Sequence, residues 1–432
     1  MRVKPVKLGI AGLGTVGSGV VNILQKNCAD IERRLGRPVQ IQQIAARRAN
    51  PLCDTSAYAI TQDVLAVARN PELDLVLELI GGVTTAKEFI LTAIAHGKHV
   101  VTANKALLAE QGEELFKAAH QAGVILAFEA AVAGGIPIIK ALREGLAANR
   151  IQALAGIING TGNFILTEME QGQRSFAEAL KQAQQLGYAE ADPTFDVEGI
   201  DAAHKLTLLA AIAFGMPIQF KRVFTEGISK ITSVDIRNAA ELGYRIKHLG
   251  IIRRSAKGIE MRVHPTLIAK EEMLAQVNGV MNAVMVQGDA VGSSLYYGAG
   301  AGSLPTASSV VADIIDIVRI LENPQQHVPP LAFSETEEQA LVTMDEVETA
   351  YYLRIEVHEK TGVLAHITKI LSEHSISIEA IRQQAVHRQS GLVPIIILTQ
   401  KVLEYEMNAA IAKIQALPET GAPVARIRLE SF

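Results

Sequence analysis

The chain has 432 residues, 49% of them apolar, with 41 Lys and Arg against 45 Asp and Glu for a formal charge of −4. Such a composition excludes intrinsic disorder and collagen-like fibre, and at about 100–200 residues per domain the length predicts two to four domains with their own cores. Without an extended Lys/Arg tract the chain lacks the electrostatic footprint that a phosphate backbone needs, so nucleic acid is not an expected partner.

Cys28 and Cys53 cannot build a disulfide framework, and no Cys/His spacing resembles a structural zinc site; a reducing cytoplasm is the expected compartment. The briefly basic start, 1–7, runs without a cleavage-site pattern into glycines that demand a structured turn. The longest apolar stretch, 206–218, falls short of the ~18 residues a membrane-crossing helix needs, so no membrane partner is expected.

From residue 6 the chain reads V-K-L-G-I-A-G-L-G-T-V-G-S-G-V-V-N-I-L, a pattern of strand, tight turn and helix. Gly12 permits the turn, Gly14 lets backbone N–H groups approach a pyrophosphate, and Gly17 lets helix and strand pack closely. The positive end of the helix dipole then faces the phosphates. Further strands at 40–46, 73–80, 99–102 and 124–127 alternate with helical patterns at 87–96 and 107–122, which predicts a Rossmann-like, doubly wound parallel sheet. The second strand ends in Arg47-Arg48, where an NAD-preferring fold carries an acidic residue. Two arginines there favour the extra phosphate of NADP(H) and leave NAD(H) open. Gly81-Gly82 and Thr102-Ala-Asn104-Lys105 follow later strands, at the sheet edge where open α/β folds bind ligands, which makes Gly81 and Lys105 candidate site residues.

The segment F-E-A-A-V-A-G-G-I-P-I-I from Phe128 is too glycine-rich for regular structure, and a carboxylate, Glu129, beside loop carbonyls can hold a hard cation such as Na⁺. Next, G-I-I-N-G-T-G-N-F-I-L presents Asn159, Thr161 and Asn163 at a strand-to-helix junction suited to polar substrate recognition. The densest constellation is G-Y-A-E-A-D-P-T-F-D-V-E-G-I-D-A-A-H-K-L, 187–206, with Glu190, Asp192, Asp196, Glu198, Asp201 and Lys205. Asp192-Pro193 makes its first half a loop, and a helix starts at Gly199. Asp201 and Lys205, four apart, share a helix face that continues as Leu208, Leu209 and Ile212. Burial would bring that lysine toward a useful proton-transfer range while the carboxylate keeps it charged; a structural ion pair is the alternative. In Y-G-A-G-A-G-S-L-P-T-A-S, Thr306 and Ser308 are expected first-turn caps of a helix whose start meets the cofactor from the other side.

Domain boundaries are expected at 1–140 for the dinucleotide-binding domain, completed by 300–320, and at 141–320 for an α+β catalytic and oligomerisation domain. A polar linker, 321–349, carries Pro324, Pro329, Pro330 and the acidic run 335–338. The last segment, 350–432, reads strand 351–357, helix 363–373, strands 376–385 and 392–398, helix 403–417 and strand 424–429, the ferredoxin-like βαββαβ order. With two helices on one side, the sheet of such a unit needs a partner for its other face or edge. A second copy is the expected one, giving a homodimer or homotetramer.

The run from Ala183 through Gly187, Asp192-Pro193, Asp196, Gly199 and Asp201 to Lys205 resembles the homoserine dehydrogenase signature. G-L-G-T-V-G, T-A-N-K, F-E-A-A-V-A-G-G-I-P, N-G-T-G-N-F-I-L and G-A-G-A-G-S-L-P-T-A-S support it in family order. The final segment, with E-K-T-G-V-L-A-H-I-T-K-I-L and S-I-S-I-E-A-I, resembles an ACT amino-acid-binding domain and departs from the commoner D-x-P-G-V-L at Glu359 and Thr361. The resemblance is to the monofunctional form, since no aspartokinase-like segment precedes the first strand.

The resemblance implies NAD(P)-dependent interconversion of homoserine and aspartate semialdehyde. It implies cofactor contacts from Gly12, Leu13, Gly14, Thr15, Val16 and Gly17 and from Lys105 and Gly302, with Gly187 alongside. It puts Glu190 and Asp201 on the amino-acid substrate, with Glu190 taking its α-ammonium and Asp196 and Asp201 orienting that ammonium and the lysine. Lys205 becomes the proton donor, with Lys105 the other lysine able to take that role. It implies a monovalent cation, Na⁺ or K⁺, on the Glu129 side chain and the carbonyls of Val132, Gly134 and Ile136, and feedback inhibition by threonine near the Gly362 turn. The alternatives are another ACT-linked dehydrogenase acting on a 2-hydroxy acid or prephenate, which gives no reason for the Asp196, Asp201, Lys205 set, and a non-catalytic amino-acid sensor.

Overall fold

The computed structural model describes residues 4–321, 328–383 and 391–432. Residues 1–3 of the basic start, Pro324 of the linker and the strand expected beyond 383 lie outside the described residues.

The first layer is built from β1 (Val6–Ala11), α1 (Thr15–Lys26), α2 (Cys28–Leu35), β2 (Val39–Ala45), β3 (Ala59–Thr61), α3 (Val64–Arg69), β4 (Leu75–Glu78), α4 (Thr84–Ala95), β5 (His99–Thr102), α5 (Lys105–Ala122) and β6 (Leu126–Ala127). Its strands are all parallel, in the order β3-β2-β1-β4-β5-β6. Chain order reverses between β1 and β4, and this switch point opens the crevice where such sheets bind dinucleotides. Gly12 has φ +101°, and a Cβ on it would stand 2.3 Å from the Leu79 carbonyl oxygen; one on Gly17 would stand 2.1 Å from the Gly12 oxygen. Neither position tolerates a side chain. The short β3 and the helices α2 and α3 carry no apolar period long enough to be expected from sequence.

The middle elements are α6 (Ile138–Lys140), β7 (Ile151–Ile157), α7 (Gly160–Gln171), α8 (Phe176–Gln185), α9 (Thr194–Val197), α10 (Ile200–Phe214), β8 (Phe224–Thr225), α11 (Ser233–Glu241), β9 (Tyr244–Ser255), β10 (Gly258–Ala269), β11 (Met281–Gly288), β12 (Gly292–Ala299) and α12 (Ser303–Ile320). The α10 helix is buried from Asp201 to Phe214, a helix enclosed on all sides rather than an amphipathic surface one. α12 returns to the first layer, where Ala307, Val310 and Ile314 share a core with Val20 and Val21 of α1. Thr306 and Ser308 are not its caps: the N-cap is Gly302, without a side-chain hydrogen bond, and Thr306 is buried.

The last segment contains β13 (Glu348–His358), α13 (Val363–Glu373), β14 (Ile378–Gln383), β15 (Leu392–Thr399), β16 (Val402–Leu403), α14 (Glu404–Gln415) and β17 (Ala425–Leu429). Its order β17-β13-β15-β14 is ferredoxin-like, but the sheet does not end there. β17 pairs in parallel with β10 (Thr266↔Arg428), so a single sheet runs β12-β11-β7-β9-β10-β17-β13-β15-β14. One face of the ACT strands carries α13 and α14; on the other, Tyr352, Ile396, Leu398 and Ile427 pack with Phe164, Ile165 and Ile236 of the middle domain. The chain's own middle domain thus fills the face and edge expected to seek a second copy. Nor does the linker hang free. Ile259 N donates to Ala340 O and Val342 N to Ile259 O, at 2.8 and 3.0 Å.

Buried charge seals this junction. Arg428, 0% exposed, donates to Glu226 on the middle domain at 2.8 Å and to Glu404 on α14 at 2.9 Å, while Arg262 reaches Glu430 at 2.7 Å and Arg354 reaches Asp235 at 2.7 Å.

Candidate active site

Three sheet ends and one buried helix converge on a charged cluster. At the end of β4, buried Glu78 accepts the Ile80 and Gly81 N–H groups at 2.9 and 3.1 Å and the Thr102 hydroxyl at 2.6 Å, tying the Gly81-Gly82 turn to β5. After β5, Asn104 caps α5 by accepting from Leu107 N at 3.1 Å and donates to Gly82 O at 2.6 Å. These bonds present Lys105 in the first turn of α5, pointed at Asp201.

Asp201 is the hub of the cluster. Its Oδ2 accepts from Lys205 Nζ at 2.7 Å and Asn159 Nδ2 at 2.8 Å, and its Oδ1 faces Lys105 Nζ at 3.1 Å. Lys205 also donates to the Ile158 carbonyl at 2.7 Å, which fixes two of its three N–H donors. Asn159 caps α7 through Gly162 N at 2.7 Å and donates to Asp196 Oδ1 at 2.7 Å, so one amide orders both carboxylates. Burial would raise the Asp201 carboxyl, but Lys205 and Lys105 outweigh it and hold the group well below its ordinary value. Burial pushes the Lys205 ammonium below its ordinary value and the Lys105 charge pushes the same way, against the pull of Asp201. Asp196 is raised, chiefly by burial.

The expected substrate residues divide. Asp201 is buried with contacts to Lys205, Lys105 and Asn159 on its two oxygens, while Asp196 is half-buried and Glu190 is exposed. Thr161 donates to Tyr188 O at 2.7 Å and so ties α7 to the loop that begins at Gly187. Asn163 is tied to the segment leading into β11: its Nδ2 meets the carbonyls of Val277, Gly279 and Met281 at 3.0–3.2 Å.

On the cofactor side, Gly12, Leu13, Gly14, Arg47 and Arg48 line one cavity of about 400 Å³. Thr15 O accepts the Ser303 hydroxyl at 2.7 Å, which brings the Gly302 turn of α12 onto the glycine loop. The Glu129 carboxylate accepts Ile139 and Lys140 N–H groups at 2.9 and 2.8 Å, its N–H donates to buried Asp313 at 2.8 Å, and burial pushes its carboxyl up to about 7.

Family models match along the chain: "Homoserine dehydrogenase, NAD binding domain" over residues 12–129, "Homoserine dehydrogenase" over 137–315 and "ACT domain" over 351–414. A homoserine dehydrogenase of Pseudomonas aeruginosa is 60% identical over 432 residues, covering 99% of this chain and 100% of that protein.

The chain belongs to the homoserine dehydrogenase family.

It is accordingly an oxidoreductase with a Rossmann-type NAD-binding domain, a catalytic domain and a C-terminal ACT domain. The crystal structure of a homoserine dehydrogenase from Thiobacillus denitrificans superposes with TM-score 0.94 at 55% identity, covering 99% of each chain. A hyperthermophilic archaeal homoserine dehydrogenase mutant in complex with NADPH covers 75% of this chain and 100% of its own, with TM-score 0.62 and 26% identity. The 2-hydroxy-acid, prephenate and sensor alternatives are not favoured by these matches.

Several members of this homoserine dehydrogenase site escape sequence reading. Ile158 acts through its carbonyl and Ser303 through one hydroxyl, neither of which leaves a pattern. Glu78 did leave one, an acid closing the apolar run L-V-L-E; a buried carboxylate there needs N–H or O–H donors.

Proposed function

We propose that the protein interconverts L-aspartate 4-semialdehyde and L-homoserine, with NADPH preferred over NADH and Lys205 moving the proton. The observation that carries this is Lys205 itself: buried, held by Asp201 and Ile158 O, and left with one uncommitted N–H. When bound, the dinucleotide supplies or accepts the hydride. Aldehyde reduction builds negative charge on oxygen, which the lysine stabilises and then protonates; in the reverse direction the neutral amine takes the hydroxyl proton. Asp196, with Glu190 at the loop, binds the substrate ammonium. Lys105 is the second reading, since it shares Asp201. Folded protein that gave no semialdehyde-dependent loss of NADPH absorbance would contradict the proposal.

The glycine turn fits a pyrophosphate because Gly12 and Gly17 have no room for a Cβ. The residues that would hold the cofactor are Gly12, Leu13, Gly14, Thr15, Val16 and Gly17, with Gly81, Lys105, Gly187 and Gly302 along the cleft and Arg47 and Arg48 on the 2′-phosphate. Replacing both arginines with Gln is expected to weaken NADP⁺ binding and leave NAD⁺ binding nearly unchanged, measured as dissociation constants; unchanged NADP⁺ affinity would make them surface charge. A monovalent cation, Na⁺ or K⁺, suits the buried oxygen set of Glu129 and the Val132, Gly134 and Ile136 carbonyls, where Glu129 and Asp313 leave acid in excess.

Threonine is the proposed effector, bound near the exposed Gly362 turn that opens α13. A chain of contacts from the ACT strand β17 to α10 is consistent with coupling. Arg428 on β17 holds Glu226, whose carbonyl accepts from His248 Nε2 at 3.0 Å, and a Cβ on Gly199, the N-cap of α10, would stand 3.2 Å from the His248 ring. Burial lowers His248 to about 4, so the ring is neutral at working pH. Thr361→Trp is expected to abolish both threonine inhibition and its calorimetric heat in the full chain; retention of both would move the effector elsewhere. Truncation near 345 cannot test this, because it strips β17 from β10. A homodimer or homotetramer would use the edge strand β12, on which Tyr297 is 57% exposed and before which Val291 is 50% exposed. Cys28 and Cys53 are free thiols, in keeping with a reducing cytoplasm.

A further inference from the structure

The functional reading so far leaves several buried polar groups without a partner among the described residues, and Asn282 is the one beside both glycine turns of the cleft. Asn282 is 1% exposed on β11, yet its Oδ1 is buried without a hydrogen-bond partner, and no described residue accepts from its Nδ2. In the orientation present the amide keeps both an acceptor and a donor unmatched by protein, which a folded interior rarely tolerates unless a ligand or an ordered water completes the pair.

Its position says which ligand. Along β11, Asn282 shares the sheet face of Val284 and Val286, which pack in one core with Ile158 and Leu206 and so lie on the α10 side. A Cβ on Gly160 would stand 3.5 Å from Asn282 Oδ1, and Gly160 directly follows Asn159, which orders Asp201 and thereby Lys205. On the other side, a Cβ on Gly300 would stand 2.0 Å from Asn282 Nδ2, so this turn needs glycine to let the amide in. The same turn leads to Ser303, bonded to Thr15 O in the pyrophosphate loop. Asn282 therefore sits between the pyrophosphate end of the cofactor cleft and the proton-transferring lysine, the interval that the redox-active ring must span.

We propose that Asn282 reads the carboxamide of the nicotinamide ring and so fixes which face of the ring meets the aldehyde. A carboxamide carries one acceptor and one donor group, the complement of what Asn282 leaves open. The substrate ammonium offers donors only and already has Asp196 and Glu190. The proposal rests on the dehydrogenase reading above.

The test compares equilibrium dissociation constants, by calorimetry on the full chain, for NADP⁺ and for its 3-acetylpyridine analogue, in which a methyl group replaces the amide nitrogen. Wild type is expected to prefer NADP⁺ by about tenfold, the worth of one net hydrogen bond or two weak ones. Asn282→Ala is expected to bind the two alike. Asn282→Leu, closer to asparagine in volume, is expected to do the same and carries the comparison if the alanine variant fails to fold. A merely structural asparagine would weaken both ligands together and preserve their ratio; a preserved ratio in either folded variant, or equal binding by wild type, overturns the proposal. Wild type that binds neither dinucleotide overturns the dehydrogenase reading as well, which separates the two failures.

Discussion

Lys205→Ala is expected to lower kcat by about 10²–10⁴-fold, the usual contribution of a positioned proton donor. The fold should survive. Asp201 keeps Lys105 at 3.1 Å and Asn159 at 2.8 Å, so the deletion does not strand an unpaired buried carboxylate. Cofactor affinity, measured separately, should change little because Lys205 belongs to the substrate side. Lys205→Arg should not rescue turnover, since a guanidinium remains charged and neither gives nor takes a proton at accessible pH. A kcat within tenfold of wild type in the alanine variant would transfer the role to Lys105.

The largest stability effect is expected at Arg428. Arg428→Met leaves Glu404, 2% exposed, with Arg426 at 2.9 Å as its remaining cation and the Tyr351 hydroxyl at 2.7 Å, and breaks the tie to Glu226; removing one partner of a buried pair costs about 3–5 kcal/mol. Burial would raise the Glu404 carboxyl, but Arg428 outweighs it and holds the group below its ordinary value. A lowered carboxyl contributes stability above the unfolded value of about 4.3 and loses it as pH falls through the folded one. Without Arg428, burial dominates and Glu404 takes up a proton more readily. The deficit in chemical denaturation should therefore be smaller at pH 5 than at pH 8. Joint replacement of Arg428 and Glu404 by Met and Leu should recover much of it. A single-variant loss below about 1 kcal/mol would mean that the junction between the catalytic and ACT strands rests on apolar packing alone.

Local signals carried well. The Gly12 and Gly17 spacing marks a turn that excludes side chains, and the i, i+4 pair Asp201 and Lys205 forms one contact on one helix face. The ACT strand and helix order was equally legible, because each element is a short segment with its own period. What sequence could not convey was where those strands end up. A-R-I-R-L reads as a half-exposed strand, yet Arg428 is buried by Glu226 and Glu404, carboxylates distant in sequence. The joining of β17 to β10 depends on those long-range ion pairs and on Tyr352 and Ile427 finding Phe164 and Ile236. The part Asp201 plays was only half legible: the i, i+4 spacing shows its pairing with Lys205, while its contacts with Lys105 and Asn159 depend on segments distant in sequence. Thr306 and Ser308 failed as caps because the glycine turn before α12 ends with Gly302 itself in the N-cap position.

The identity of the proton carrier is settled most directly by the pH dependence of kcat/KM for homoserine oxidation in wild type and Lys105→Gln. Oxidation requires the neutral amine, so the rate should rise with pH through the lysine ionisation. Burial and the Lys105 charge put that limb below the ordinary lysine value of 10.5 in wild type. Lys105→Gln removes a neighbouring positive charge, which should move the limb to higher pH while the limb itself persists. Loss of the limb in Lys105→Gln, with a fall in kcat of about 10²–10⁴-fold, would contradict the assignment and make Lys105 the group that carries the proton.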